Sequence, residues 1–148
     1  MKTASIAAIV AIALDGCRDT EDPEAASYLG NRLDGADRMI VWWQTGFTED
    51  PPKVTRKEIV ESDRNRVRAL VGLLQVERTK GPHKCEDGPT FEFYQGEQRI
   101  CSVLFSHGKY LRKEGSSQDA HLTEKSALAM REYLASHAIP QSPYGKRH

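Results

Sequence analysis

Apolar positions along the chain follow three rhythms, and each points to a kind of element. Val67, Leu70, Val71 and Leu74 fall at i, i+3, i+4 and i+7, the spacing of one helix face. Ser62 or Asp63 stands where the cap of that helix belongs, and the pattern carries it to Glu77. Each of the four side chains contributes about 1.5–3 kcal/mol when buried. Arg64, Arg66 and Arg68 then face solvent. The same spacing marks a final helix capped by Thr123, with Ala127, Met130, Tyr133 and Leu134 on one face and Ile139-Pro140 as its stop. A shorter helix opens at Asp22-Pro23, places Ala26, Leu29 and Leu33 together, and ends near Gly35.

The second rhythm is alternation, the mark of strands. Phe91 and Phe93 alternate with Glu92 and Tyr94, and Gln95-Gly96-Glu97 makes a hairpin loop. In Arg99 to Phe105, Cys101, Val103 and Phe105 face one way and Ile100, Ser102 and Leu104 the other. Ser106 to Lys109 is a second turn, and Tyr110 to Lys113 a third strand. Met39 to Trp43 is a continuous apolar strand; its adjacent tryptophans cannot share one core, so one of them lies on the opposite face. Lys53 to Val60 is polar and suits a sheet edge. Residues 79–89 and 114–121 read as loops, and 141–148 as a mobile polar tail. The sum is an α+β domain over 25–140. Its sheet is mainly antiparallel, of four to five strands, with helices packed on one face.

The third rhythm is an unbroken run. Thr3 to Leu14 carries no charge and follows Lys2. As a helix it is about 18 Å long, against about 30 Å of bilayer hydrocarbon, so it is too short to span. It has the form of a signal peptide over 1–16. Leu14, Gly16 and Cys17 stand in the arrangement of a lipobox, and the segment resembles bacterial lipoprotein precursors; Asp15 departs from that pattern. The resemblance implies cleavage before Cys17, lipidation of Cys17 and a tether over 17–24. Simple secretion after Ala11-Ile12-Ala13 is the alternative, and a core helix in a cytosolic protein a third reading.

Lys plus Arg and Asp plus Glu are both 21. Loss of 1–16 removes Lys2 and Asp15, so the balance stays at zero. The basic surplus of a nucleic-acid binder is missing, and no nucleic-acid partner is expected. With Cys17 lipidated, Cys85 and Cys101 are left to form a disulfide. It would close a loop of roughly sixteen residues and stabilise by about 3 kcal/mol. The hairpin puts Cys101 opposite Phe91, so Cys85-Glu86-Asp87-Gly88-Pro89 must fold back to meet it. Two buried free thiols are the alternative.

Candidate chemistry is sparse. His83, Cys85, Cys101 and His107 lack the spacing of zinc modules, so no metal is expected, and no cofactor motif occurs. Cys101 lies mid-strand, Ser106 and His107 are sequence neighbours, and Glu92 and Glu97 read as solvated charges; none makes a catalytic site. The best contact surface is the turn carrying Ser106, His107, Lys109, Tyr110 and Arg112. Its Ser, Gly and Tyr are similar to the loop that periplasmic lysozyme inhibitors insert into an enzyme cleft. The expectation is a lipid-anchored envelope protein, facing the periplasm or exterior, without enzymatic activity. It would bind another protein as an inhibitor, immunity or assembly factor. A small-ligand or enzyme-accessory protein, with a pocket between the sheet and the last helix, is the alternative.

Overall fold

The computed structural model describes residues 23–81 and 87–142. The leader, Cys17, residues 17–22 of the tether, Asp22 as a cap, Cys85 and the tail from 143 lie outside the described residues. The domain is α+β, as the pattern implies, but its sheet has seven strands, not four or five. They are β1 (Arg38–Thr45), β2 (Thr55–Glu61), β3 (Val76–Lys80), β4 (Thr90–Gln95), β5 (Gln98–Ser106), β6 (Tyr110–Lys113) and β7 (Asp119–Leu122). The spatial order is β2-β1-β4-β5-β6-β7-β3, and every neighbouring pair is antiparallel. The helices are α1 (Pro23–Tyr28), α2 (Arg64–Leu73) and α3 (Glu124–Ser136), with a short 3₁₀ turn at Gly30–Leu33.

Alternation sorts the strands into two faces. Met39, Val41, Phe91, Phe93, Cys101, Val103, Phe105, Leu111, Ala120 and Leu122 are buried on one of them. Tyr28, Leu29, Leu33, Val67, Leu70, Ala127, Met130 and Leu134 come from the helical segments and join the same cluster. The helical layer therefore covers one face. Phe91 is its centre, 6.4 Å from Phe105 edge-on and 6.2 Å from Tyr133. Trp43 packs against the core from the end of β1, while Trp42 takes the other face, as two adjacent strand residues must.

Four local readings differ from the outcome. The first helix breaks at Gly30, whose φ is +56°, and buries Ala25 and Tyr28 rather than Ala26. α2 stops at Leu73, because the buried Ser126 hydroxyl donates to the Leu73 carbonyl (2.5 Å) and accepts from the Gln75 N–H (2.9 Å). That handover starts β3 where the periodicity had continued a helix. β7 forms within a segment read as a loop. Cys101 pairs with Phe93, not Phe91, because Gln95 pairs with Gln98 across a two-residue turn and the register shifts beyond Phe93.

Caps fall where side-chain chemistry puts them. Asp63 accepts from the Asn65 and Arg66 N–H groups, and Thr123 from that of Ser126. Gly88 has φ +154°, and a Cβ there would collide with the Phe105 carbonyl. This close approach, with the Phe105 N–H bonded to the Pro89 carbonyl at 2.9 Å, lays the start of β4 along β5.

Met130 is fully buried and Leu128, on the same helix, is 46% exposed. Met130→Ala is expected to cost about 2–5 kcal/mol in denaturant unfolding and Leu128→Ala under about 0.5 kcal/mol. The Tyr133 hydroxyl is buried without a hydrogen-bond partner among the described residues. Burial, then the Glu61 carboxylate, pushes its pKa from 10 up to about 12. The folded state thus holds this proton more tightly than the unfolded chain. Its contribution is whole below pH 10 and lost as pH climbs from 10 to about 12. Tyr133→Phe is expected to remove that alkaline loss, and at pH 7 to leave stability unchanged or raise it by up to about 1 kcal/mol.

Candidate site on the open face of the sheet

The face turned away from the helices carries polar and aromatic side chains in an ordered arrangement. Cross-strand register puts Trp42 beside Thr90, Thr90 beside Leu104 and Leu104 beside Arg112. One row further on, Glu92 lies between Ile40 and Ser102. Trp42, Thr90, Glu92, Ser102 and Leu104 floor a groove of about 390 Å³, walled by Arg99, Arg112 and the Lys113–Ser116 turn.

Glu92 is the hub. It reads as a solvated charge in the sequence, yet it is only 8% exposed. Its carboxylate accepts from Trp42 Nε1 (3.1 Å), the Tyr94 hydroxyl (3.0 Å) and Arg99 (3.4 Å). A nearly buried carboxylate persists only with such donors. Arg99 reaches on to Glu114 at 2.8 Å. Arg56 stacks over Trp42 at 4.4 Å and Arg38 over Tyr94 at 4.6 Å. Burial, then the bond to Glu92, raises the Tyr94 pKa, so its phenol stays a donor.

A second buried carboxylate sits on the same face. Asp119 is fully buried and takes Arg112 in a bidentate pair, Nε to Oδ1 at 2.6 Å and the terminal nitrogen to Oδ2 at 3.1 Å. This pair ties β6 to β7.

The turn singled out in the sequence is divided by the structure. Ser106 is 2% and Tyr110 6% exposed, so neither hydroxyl side chain projects as a contact. Arg112 is committed to Asp119. His107 and Lys109 remain exposed. His107 and Gly108 both have positive φ, 52° and 68°, and the Lys109 N–H closes the turn on the Ser106 carbonyl at 3.2 Å. Arg131 of α3 donates to the Gly108 carbonyl at 2.7 Å, which fixes the turn against the helix. His107, Lys109 and Tyr110 do converge, with the imidazole 6.3 Å and the ammonium 5.2 Å from the phenol ring. Lys80 and His121 join them from strands that sequence reading left as loops. Glu92 was legible only as a member of the alternation opposite the apolar stripe, and Asp119 lay in a segment read as a loop.

Cys101 is buried, and burial raises its pKa, which suits a packed thiol rather than a nucleophile. Cys85, its expected disulfide partner, lies outside the described residues. Among the described residues no three His, Cys, Asp or Glu side chains group to hold a metal ion. No described helix is long and apolar enough to cross a membrane. The space between the sheet and α3, expected to hold a pocket, is filled by Ala127, Met130 and Leu134, all fully buried. A separate open cleft of about 460 Å³ lies between α1, the α2–β3 link and Thr123. In comparisons with known proteins, no family model, curated protein or solved structure matches the chain.

Asp119→Ala leaves the Arg112 guanidinium, with 15% side-chain exposure, without its bidentate acceptor. It is expected to cost about 3–5 kcal/mol in urea unfolding, whereas Arg112→Met with Asp119→Leu recovers most of that loss.

Proposed function

We propose that the chain is an exported, lipid-anchored envelope protein that binds another protein through the open face of its sheet. The observation that carries the binding half is the prebuilt Glu92 network: Trp42, Tyr94 and Arg99 are held in place before any partner arrives. Tryptophan, tyrosine and arginine are the residues that anchor interfaces, and holding them in advance lowers the entropic cost of association. The groove also favours one partner chemistry. Arg99 is satisfied by Glu92 and Glu114, and Arg112 by Asp119, so the site suits a neutral polar loop inserting into a space of about 390 Å³. An inhibitor, immunity or assembly factor works by such a contact, and no cofactor enters it.

The anchoring half rests on the leader, where Leu14, Gly16 and Cys17 follow the uncharged run. Acyl chains on Cys17 would hold the domain at a membrane while the tether leaves the sheet accessible. The cleft beside α1 supports a second reading, a small-ligand protein, since about 460 Å³ accommodates a compact metabolite.

Both halves have a direct test. Intact-mass analysis of the membrane fraction from cells expressing the full chain should find a product that begins at acylated Cys17, and Cys17→Ser should accumulate as precursor. A mature product retaining Met1 contradicts the anchor. A photo-crosslinking residue at Leu104, on the open face, should give a discrete protein adduct that Trp42→Ala reduces about tenfold. The same probe at Leu128, on the helical side, should give none. Adducts from Leu128 alone would move the contact to the other layer.

A further inference from the structure

Beyond the groove, the open face ends in a corner where positive charge collects. Lys80 donates to the Tyr110 hydroxyl at 3.0 Å, and its ammonium lies 4.6 Å from the centre of that ring. The Lys109 ammonium lies 5.2 Å from the same ring centre. His121 stacks against Tyr110 at 5.2 Å, and His107 meets it edge-on at 6.3 Å. Arg78 pairs with His121 in the β3–β7 register.

Among the described residues, the carboxylates of this corner are already engaged. Glu77 bonds His121 Nδ1 at 3.0 Å, and Asp119 holds Arg112. Neither Lys80 nor Lys109 has a carboxylate within ion-pair distance among the described residues. Each ammonium has three N–H donors, and Lys80 spends one on the phenol. Two ammonium groups directed at one phenol repel each other, and an anion set between them removes that repulsion. The lowered pKa of Tyr110, due first to the Lys80 hydrogen bond, shows the same positive potential acting on the phenol.

We infer that Lys80 and Lys109, held around the buried Tyr110 ring, form a binding site for a phosphate-class oxyanion, either free or as the headgroup of a lipid. The ligand is bridged by the two ammonium groups, with the exposed His107 beside it. Nothing in this inference depends on the proposed protein contact, because the groove around Glu92 uses different side chains.

The test follows backbone amide shifts of the full chain at pH 7 during titration with inorganic phosphate, with sodium chloride at matched ionic strength as the control. Saturable shifts should centre on Lys80, Lys109, Tyr110 and His121, and weaken as salt rises. Lys80→Gln and Lys109→Gln should each weaken binding roughly tenfold. Lys57→Gln, in the far edge strand, should leave it unchanged. Co-sedimentation with phosphatidic acid vesicles, against phosphatidylcholine alone, separates the two sources. Phosphate-competed retention assigns the lipid headgroup, and absence of retention together with saturable phosphate shifts assigns the free ion. Shifts matching those from chloride, or full affinity in the doubly substituted chain, would overturn the site. Should that double variant lose its folded spectrum, the two single variants decide.

Discussion

One-sided burial is the constraint on which the rest of this molecule depends. Phe91, Phe93, Val103, Phe105 and Leu111 present one continuous apolar stripe, and the described helical segments are spent on covering it. Each such side chain gains about 1.5–3 kcal/mol on leaving water, and only one face of the sheet offers that gain. Period-two geometry then dictates that Trp42, Glu92, Ser102, Leu104 and Arg112 emerge together on the other side. The open face is thus a by-product of core packing, and register errors in β4 or β5 would exchange the two.

The open face is not simply a wet surface. It carries two almost inaccessible carboxylates, Glu92 and Asp119, each saturated by designated donors. Such groups are poor sources of stability but strong sources of definition, since a slipped strand would strand a charge. The Arg112–Asp119 pair shows this most clearly. β7 is only four residues long, and its residues Asp119, Ala120 and His121 have little intrinsic strand preference. It is a strand because Arg112 and β3 claim it from either side, through an ion pair and a ladder.

That explains what could and could not be read from the chain. The long rhythmic elements, α2, α3, β4 and β5, were visible because each carries its own periodicity. The separation of Trp42 from Trp43 followed from strand geometry alone. β3 escaped because no Gly or Pro stands between Leu74 and Lys80 to mark the end of α2, and the signal that ends that helix, Ser126, lies some fifty residues away. β7 escaped because its stability is wholly tertiary. The corner around Tyr110 was half legible: His107, Lys109 and Tyr110 are close in sequence, whereas Lys80 and His121 arrive through β3 and β7, which no local pattern announces. The Glu92 hub was hidden for a related reason, since an isolated glutamate in a strand looks the same whether it faces solvent or three donors.

The most direct measurement of this account is a thiol-alkylation map across one step of β5. Cys101 and Ser102 are neighbours assigned to opposite faces, the first buried and the second half-exposed. Under reducing conditions, Ser102→Cys in the folded chain should react with iodoacetamide at a rate near that of an unstructured thiol. Cys101 should remain unlabelled until the domain unfolds. Labelling of Cys101 with protection of the thiol introduced at 102 would mean that the sheet faces are reversed, and the groove, the ion pairs and the proposed contacts would fall with them.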